Sequence, residues 1–163
     1  MGLNGAGKSS LFDLIAGHDT PTSGRIFCNG QNVHQVKRAE RNKLVRYNRQ
    51  TQFSRYRRSR LPPDFLLQPA QRHEPVIHLF DEPNQEEWMT RIFFNVAFNL
   101  RARGNVVLFS MHPNRVKDIA VMRGICDRYI YVDKGQYTLF DSYRDFLAYP
   151  PAYQYLLPLL EQA

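Results

Sequence analysis

The chain has 163 residues, 43% hydrophobic and 23% charged, proportions that exclude a wholly disordered or fibrous chain and fit about one domain. Its apolar runs, such as Val106-Val107-Leu108-Phe109, fall far short of the ~20 residues a membrane span needs. The first residues lack a secretory pattern, and two cysteines, Cys28 and Cys126, are too few for a disulfide framework, so a reducing, cytosolic location is expected.

Residues 2–7 read as a glycine-rich loop, followed by a helix over Ser9–Ala16 with Leu11, Leu14 and Ile15 on one face and Gly17 as its stop. Pro21-Thr22-Ser23-Gly24 marks a turn before a short strand, Arg25–Cys28, and the hairpin dipeptide Asn29-Gly30. All of the net charge of +7 comes from one block. Residues 37–60 hold ten basic side chains against a single acid, Glu40; the remainder holds 12 bases and 14 acids. Such a block is either a solvated segment or the footprint of an anionic partner. Like-charge repulsion and the helix-breaking Leu61-Pro62-Pro63 predict loose packing over residues 49–60.

Residues 76–80 are a short apolar run suited to a buried strand. Glu86–Arg103 reads as a long helix, with Trp88, Ile92, Val96 and Leu100 recurring every four residues and Gly104 ending it. A second buried strand spans Val106–Ser110, and a helix after Pro113 leads to a third strand, Tyr129–Val132, and the turn Asp133-Lys134-Gly135. A last strand and a helix over Ser142–Tyr149 follow. Alternating strands and helices predict an α/β fold with a mostly parallel sheet. The tail over residues 150–163 is too apolar for a free linker and is expected to dock.

Gly2-Leu3-Asn4-Gly5-Ala6-Gly7-Lys8-Ser9 matches the P-loop pattern G-x-x-x-x-G-K-[ST]. Glycines there let successive backbone N–H groups turn inward around phosphate oxygens, and the following helix offers its N-terminus to the same anion. Lys8 suits the β- and γ-phosphates and the Ser9 hydroxyl suits Mg²⁺. Asp81 and Glu82 close a buried strand at the end where parallel sheets bind ligands. Alone they could equally be a helix N-cap pair; beside a P-loop, Asp81 reads as the metal's acidic partner and Glu82 as general base. His112 follows another strand's carboxyl end, the rim expected for Asp81.

In this order the residues resemble the ATP-binding subunits of ABC transporters. Residues 2–11 look like their Walker A. Gln50, after Val45-Arg46-Tyr47, is similar to the Q-loop glutamine; Leu79-Phe80-Asp81-Glu82-Pro83 resembles Walker B with its catalytic glutamate; Ser110-Met111-His112 resembles the switch histidine. The resemblance implies a P-loop NTPase core over residues 1–149, lacking the first strand and most of the helical subdomain, whose place residues 37–75 take in reduced, basic form. It implies ATP held by Asn4, Gly5, Ala6, Gly7, Lys8, Ser9 and Ser10, Mg²⁺ at Ser9, Gln50 and Asp81, and hydrolysis by Glu82 with His112. It also implies a transmembrane permease and a second ATP-binding subunit as partners, at the inner face of the cell membrane. Residues 126–128, Gly135, residues 140–142 and Tyr149 are most similar to exporters of polysaccharide.

Two departures stand out. No Leu-Ser-Gly-Gly-Gln signature occurs in the sequence, and Asn84-Gln85-Glu86 stands where an aspartate is expected after Walker B. Slow turnover by the chain alone is therefore expected. Two other functions fit the residues: a nucleotide-binding module without turnover, and a P-loop protein that binds nucleic acid through Arg55, Arg57, Arg58 and Arg60, with Tyr47, Phe53 and Tyr56 stacked on bases.

Overall fold

The computed structural model describes residues 1–49, 77–83 and 87–162. The chain divides into two compact units, residues 9–110 and residues 1–8 together with 111–163.

In the unit spanning Ser9–Ser110, helix α1 (Lys8–Ile15), whose first residue belongs to the other unit, buries Phe12 one turn before Ala16. Gly17 then adopts a left-handed φ of 67° and ends the helix. A Cβ there would strike the side chain of Arg41, whose guanidinium donates to the Gly17 carbonyl. Strands β1 (Phe27–Cys28) and β2 (Gln31–Asn32) form a tight antiparallel hairpin around Asn29-Gly30. The strand expected over Arg25–Cys28 is thus confined to its last two residues.

Two elements form within the described part of the basic block. Residues 38–44 form helix α2 (Arg38–Leu44), which runs directly into strand β3 (Val45–Asn48). Val45 and Asn48 are buried, and Val45 joins the core of Phe12, Cys28, Val33 and Leu79. Charge hid this strand: only four residues long, it lies between Lys43 and Arg49. Pairing with strand β4 (Ile77–Asp81) fixes it, in parallel register Val45 opposite Ile77 through Asn48 opposite Phe80. Strand β5 (Val106–Ser110) pairs parallel on the other side, with Asp81 opposite Ser110. As the middle strand, β4 buries residues 78–81, which matches its nearly continuous apolar reading. Helix α3 (Glu87–Ala102) buries Phe93, Val96 and Ala97. Phe93 sits 5.1 Å from Phe80 and 5.0 Å from Phe109, edge-on to both. Each such aromatic contact is worth about 0.5–1.5 kcal/mol beyond burial.

In the other unit, strands β6 (Tyr129–Asp133) and β7 (Gln136–Phe140) form an antiparallel hairpin turned by Lys134 and Gly135. Met1 brackets Tyr131 in parallel fashion: its amine donates to the Ile130 carbonyl at 2.6 Å and its carbonyl accepts from Val132 N–H at 2.9 Å. Helix α4 (Val116–Ile125) is capped by the buried Asp118, which accepts from the N–H groups of Asn114 and Arg115. Ser142 caps helix α5 (Tyr143–Ala148), accepting from Asp145 N–H at 3.0 Å.

The apolar tail is a helix, α6 (Pro150–Leu160), with two prolines in its first turn, where their missing N–H groups cost nothing. Ala152 and Leu156 recur at helical spacing and are fully buried with Phe146, Tyr129 and Tyr131.

Candidate functional site

The loop over residues 2–7 takes its shape from glycine. Gly2 has φ 140°, and a Cβ there would collide with the Val132 carbonyl; Gly7 has φ 106°, with Gly135 Cα 3.6 Å from where its Cβ would lie. Both conformations are ones that L side chains rarely adopt. A turn from Ala6 N–H to the Leu3 carbonyl and a bond from Gly135 N–H to the Ala6 carbonyl hold the loop. Asn4 and Gly5 lie exposed at its tip, while Ala6 is buried. Lys8 is buried and curls back onto this loop, donating to the carbonyls of Gly2 and Leu3, each at 3.0 Å. Its Nζ is also 3.1 Å from Nε2 of His112, whose Nδ1 lies 2.7 Å from the hydroxyl of Tyr155 on α6.

Ser9 and Ser10 follow on the first turn of α1, both exposed. The Ser9 hydroxyl donates to Asp81 Oδ2 at 2.8 Å. Asp81, 8% exposed, accepts two further bonds: from Ser110 Oγ to Oδ1 at 2.6 Å, and from the Tyr47 hydroxyl to Oδ2 at 3.3 Å. Strand register explains the pairing with Ser110, which closes β5 directly opposite Asp81. Burial, and then the negative charge of Asp81, push the Tyr47 phenol well above its ordinary value, so it stays a neutral donor. Glu82, the next residue, has a left-handed φ of 47° and is anchored by its N–H, which donates to both the carbonyl and the hydroxyl of Ser110 at 3.1 Å.

Among the described residues no three His, Cys, Asp or Glu side chains gather as a metal cage. One carboxylate beside one hydroxyl fits Mg²⁺, which keeps most of its waters and shares its remaining positions with substrate phosphates. Gln50, the third expected ligand, lies outside the described residues.

Tyr47, Ser110 and Tyr155 were not legible as site residues. Ser110 had a signal: it ends a five-residue strand, as Asp81 does, so in-register pairing brings them together. The nucleic-acid alternative gives Tyr47 a role stacked on bases; in the structure the ring has other neighbours. Its ring lies stacked with His18 at 5.6 Å and edge-on to Phe12 at 5.9 Å, with the Arg49 guanidinium 5.2 Å from its centre, so it is packed rather than presented. Part of the basic block is likewise spent within this unit: Arg41 on Gly17, Lys43 on Glu40 and Arg49 on Asp13. The Arg55, Arg57, Arg58 and Arg60 cluster, with Phe53 and Tyr56, lies outside the described residues, as does nearly all of the stretch expected to pack loosely.

The family model described as ABC transporter matches residues 1–106. The lipoprotein-releasing system ATP-binding protein LolD of Psychrobacter arcticus is 44% identical over 41 residues, a stretch that covers 25% of this chain and 18% of that protein. The chain therefore matches about a fifth of the length of such curated relatives. Among solved structures, cbiO1 of Clostridium perfringens, described as part of the ABC transporter complex cbiONQ, aligns over 99% of this chain and 83% of its own, with a TM-score of 0.64 at 16% identity. The ATP-binding cassette MJ0796, solved as a post-hydrolysis dimer with ADP and phosphate, aligns over 85% and 82%, with a TM-score of 0.59 at 17% identity. At these identities the structural likeness speaks for the fold, a P-loop α/β core.

Proposed function

The chain belongs to the ABC transporter family, and from that premise we propose that it acts as an ATP-binding subunit that hydrolyses ATP to power transport. The observation that carries this reading is the 2.8 Å bond from Ser9, the last residue of the P-loop motif, to Asp81 at the end of a buried strand. These are the two oxygen ligands a nucleotide-bound Mg²⁺ needs from a P-loop protein. In this reading the backbone N–H groups of Asn4, Gly5 and Gly7, with those of Lys8, Ser9 and Ser10 at the start of α1, surround the phosphates, while the Ala6 N–H closes the turn onto Leu3. Lys8 leaves the Gly2 and Leu3 carbonyls to neutralise the β- and γ-phosphates. Ser9 and Asp81, with Gln50, hold Mg²⁺, which supplies charge stabilisation at the transferring phosphoryl group. Glu82 accepts a proton from the attacking water, and His112 donates to the γ-phosphate.

The partners this function requires are a membrane permease and a second ATP-binding subunit. No helix among the described residues is long and apolar enough to cross a membrane. The subunit would work at the inner face of the membrane. The polysaccharide reading rests on residues 126–149, beyond the family match, and finds no support in relatives named for lipoprotein release. The non-hydrolysing alternative draws on one observation, the absence of a signature sequence between Gln50 and Asp81.

Calorimetry with Mg-ATP tests the core of the proposal. Lys8→Ala should weaken binding by on the order of 100-fold, because charge-assisted bonds to phosphate are worth roughly 1.5–3 kcal/mol each. Equal affinity in the two proteins would overturn it.

A further inference from the structure

We propose that Tyr155, on the C-terminal helix, is a positioning residue that holds the His112 ring in either neutral tautomer, answering at Nδ1 whatever Nε2 faces. The chemistry follows from the partners. Lys8, as an ammonium, has donors and no acceptor. Its Nζ lies 3.1 Å from His112 Nε2, so this nitrogen offers its lone pair. A neutral imidazole carries one N–H, which must then sit on Nδ1. Nδ1 is 2.7 Å from the Tyr155 hydroxyl, so the phenol oxygen accepts.

Tyr155 is held for this task. Its neighbour Leu156 is fully buried, and its ring meets Tyr131 of β6 edge-on at 6.2 Å. The two rings of the pair, His112 and Tyr155, lie 6.2 Å apart. The choice of a phenol matters because a phenol both accepts and donates. Towards Lys8, Nε2 must accept, and Tyr155 then receives the Nδ1 proton. Towards a phosphate oxygen, Nε2 must donate, and the Tyr155 hydroxyl can turn to donate to the bare Nδ1. One side chain thus supports His112 in both roles with no change of net charge. The second role rests on the assignment of His112 to the γ-phosphate in the proposed function; the first stands on the nucleotide-free geometry alone.

The test is ¹⁵N-resolved NMR of the His112 ring at a pH where imidazole is neutral. In the nucleotide-free chain, His112 should show the Nδ1–H signature. Tyr155→Phe keeps the ring and removes the acceptor, so the Nδ1 proton should lose its downfield, hydrogen-bonded shift and exchange faster with water, while Lys8 keeps Nε2 bare. A wild-type chain already in the Nε2–H form overturns the proposal without any variant, and so do an unchanged Nδ1 proton shift and exchange rate in a folded Tyr155→Phe. Saturation with Mg-ATP should convert the wild-type signal to Nε2–H; retention of Nδ1–H under proven saturation overturns the two-role mechanism. Failure to bind Mg-ATP by calorimetry counts against the proposed function instead, and leaves the nucleotide-free result standing.

Discussion

Lys8 and Ser9 are consecutive residues, yet their side chains draw on partners assembled in different ways. Ser9 meets Asp81 and its partner Ser110 at the ends of two paired strands, where register alone decides who faces whom. Lys8 meets His112 and, through it, Tyr155, residues 104 and 147 positions away that no shared strand aligns. The first cluster is held by a parallel ladder and by three hydrogen bonds to its carboxylate. The second depends on how well an apolar tail is seated. Under the proposed function, chemistry that needs a fixed metal oxygen would be served by the sheet, and chemistry that needs a group to change partners by the loop and the tail.

The largest effect that can break this contrast is on hydrolysis. With a signature-bearing partner present, Glu82→Gln should reduce turnover by about 10²–10⁴-fold, the range for a lost general base, while Mg-ATP binding persists. A phosphate-release assay beside calorimetry reads both, and parallel loss of binding would mean that the sheet cluster holds nucleotide as well as activating water.

Leu156→Ala probes the tail cluster. The fully buried side chain leaves a cavity in the core of Phe146, Tyr129 and Tyr131, so urea denaturation should show a loss of about 2–5 kcal/mol. A loss below half a kcal/mol would mean that the tail adds little to its unit.

Ser110→Ala removes the donor to Asp81 and one acceptor of the Glu82 N–H. The expected cost is about 1–3 kcal/mol of stability, because a buried carboxylate oxygen loses a close partner. An unchanged denaturation midpoint would show that Asp81 is served by water there.

The smallest effect is a pH dependence. Burial pushes the Tyr129 phenol up to about 12, and its hydroxyl donates to the Met122 carbonyl. A raised acid is held neutral in the folded chain. The unfolded chain ionises first, so stability falls as pH rises from about 10 towards 12. Tyr131 and Tyr143 shift in the same direction, so the informative quantity is the difference from Tyr129→Phe. That variant should lose about 1 kcal/mol less between pH 9 and 11, measured by chemical denaturation at each pH.

The contrast also explains what could be read without coordinates. The P-loop, the buried strand ending in Asp81 and Glu82, and the long helix behind it were legible because each is a local pattern: glycine spacing, an unbroken apolar run, a repeat of four. Strand β3 was not, since its four residues lie within a charged block and only pairing with β4 reveals them. Ser110 was half legible, needing a register that two equal strand lengths suggest. Tyr155 could not be found, because no spacing in the sequence links residue 155 to residue 112. What sequence reading misses here are side chains that support others, whose identity matters less to local structure than their arrival at one point.

The left-handed backbone of Glu82 carries a consequence beyond geometry. A non-glycine residue pays about 1–2 kcal/mol to sit there, and glycine pays almost none. Glu82→Gly should therefore fold at least as well while discarding the carboxylate. Under the proposed function, what the glutamate returns for that cost is its carboxylate, which glycine cannot supply.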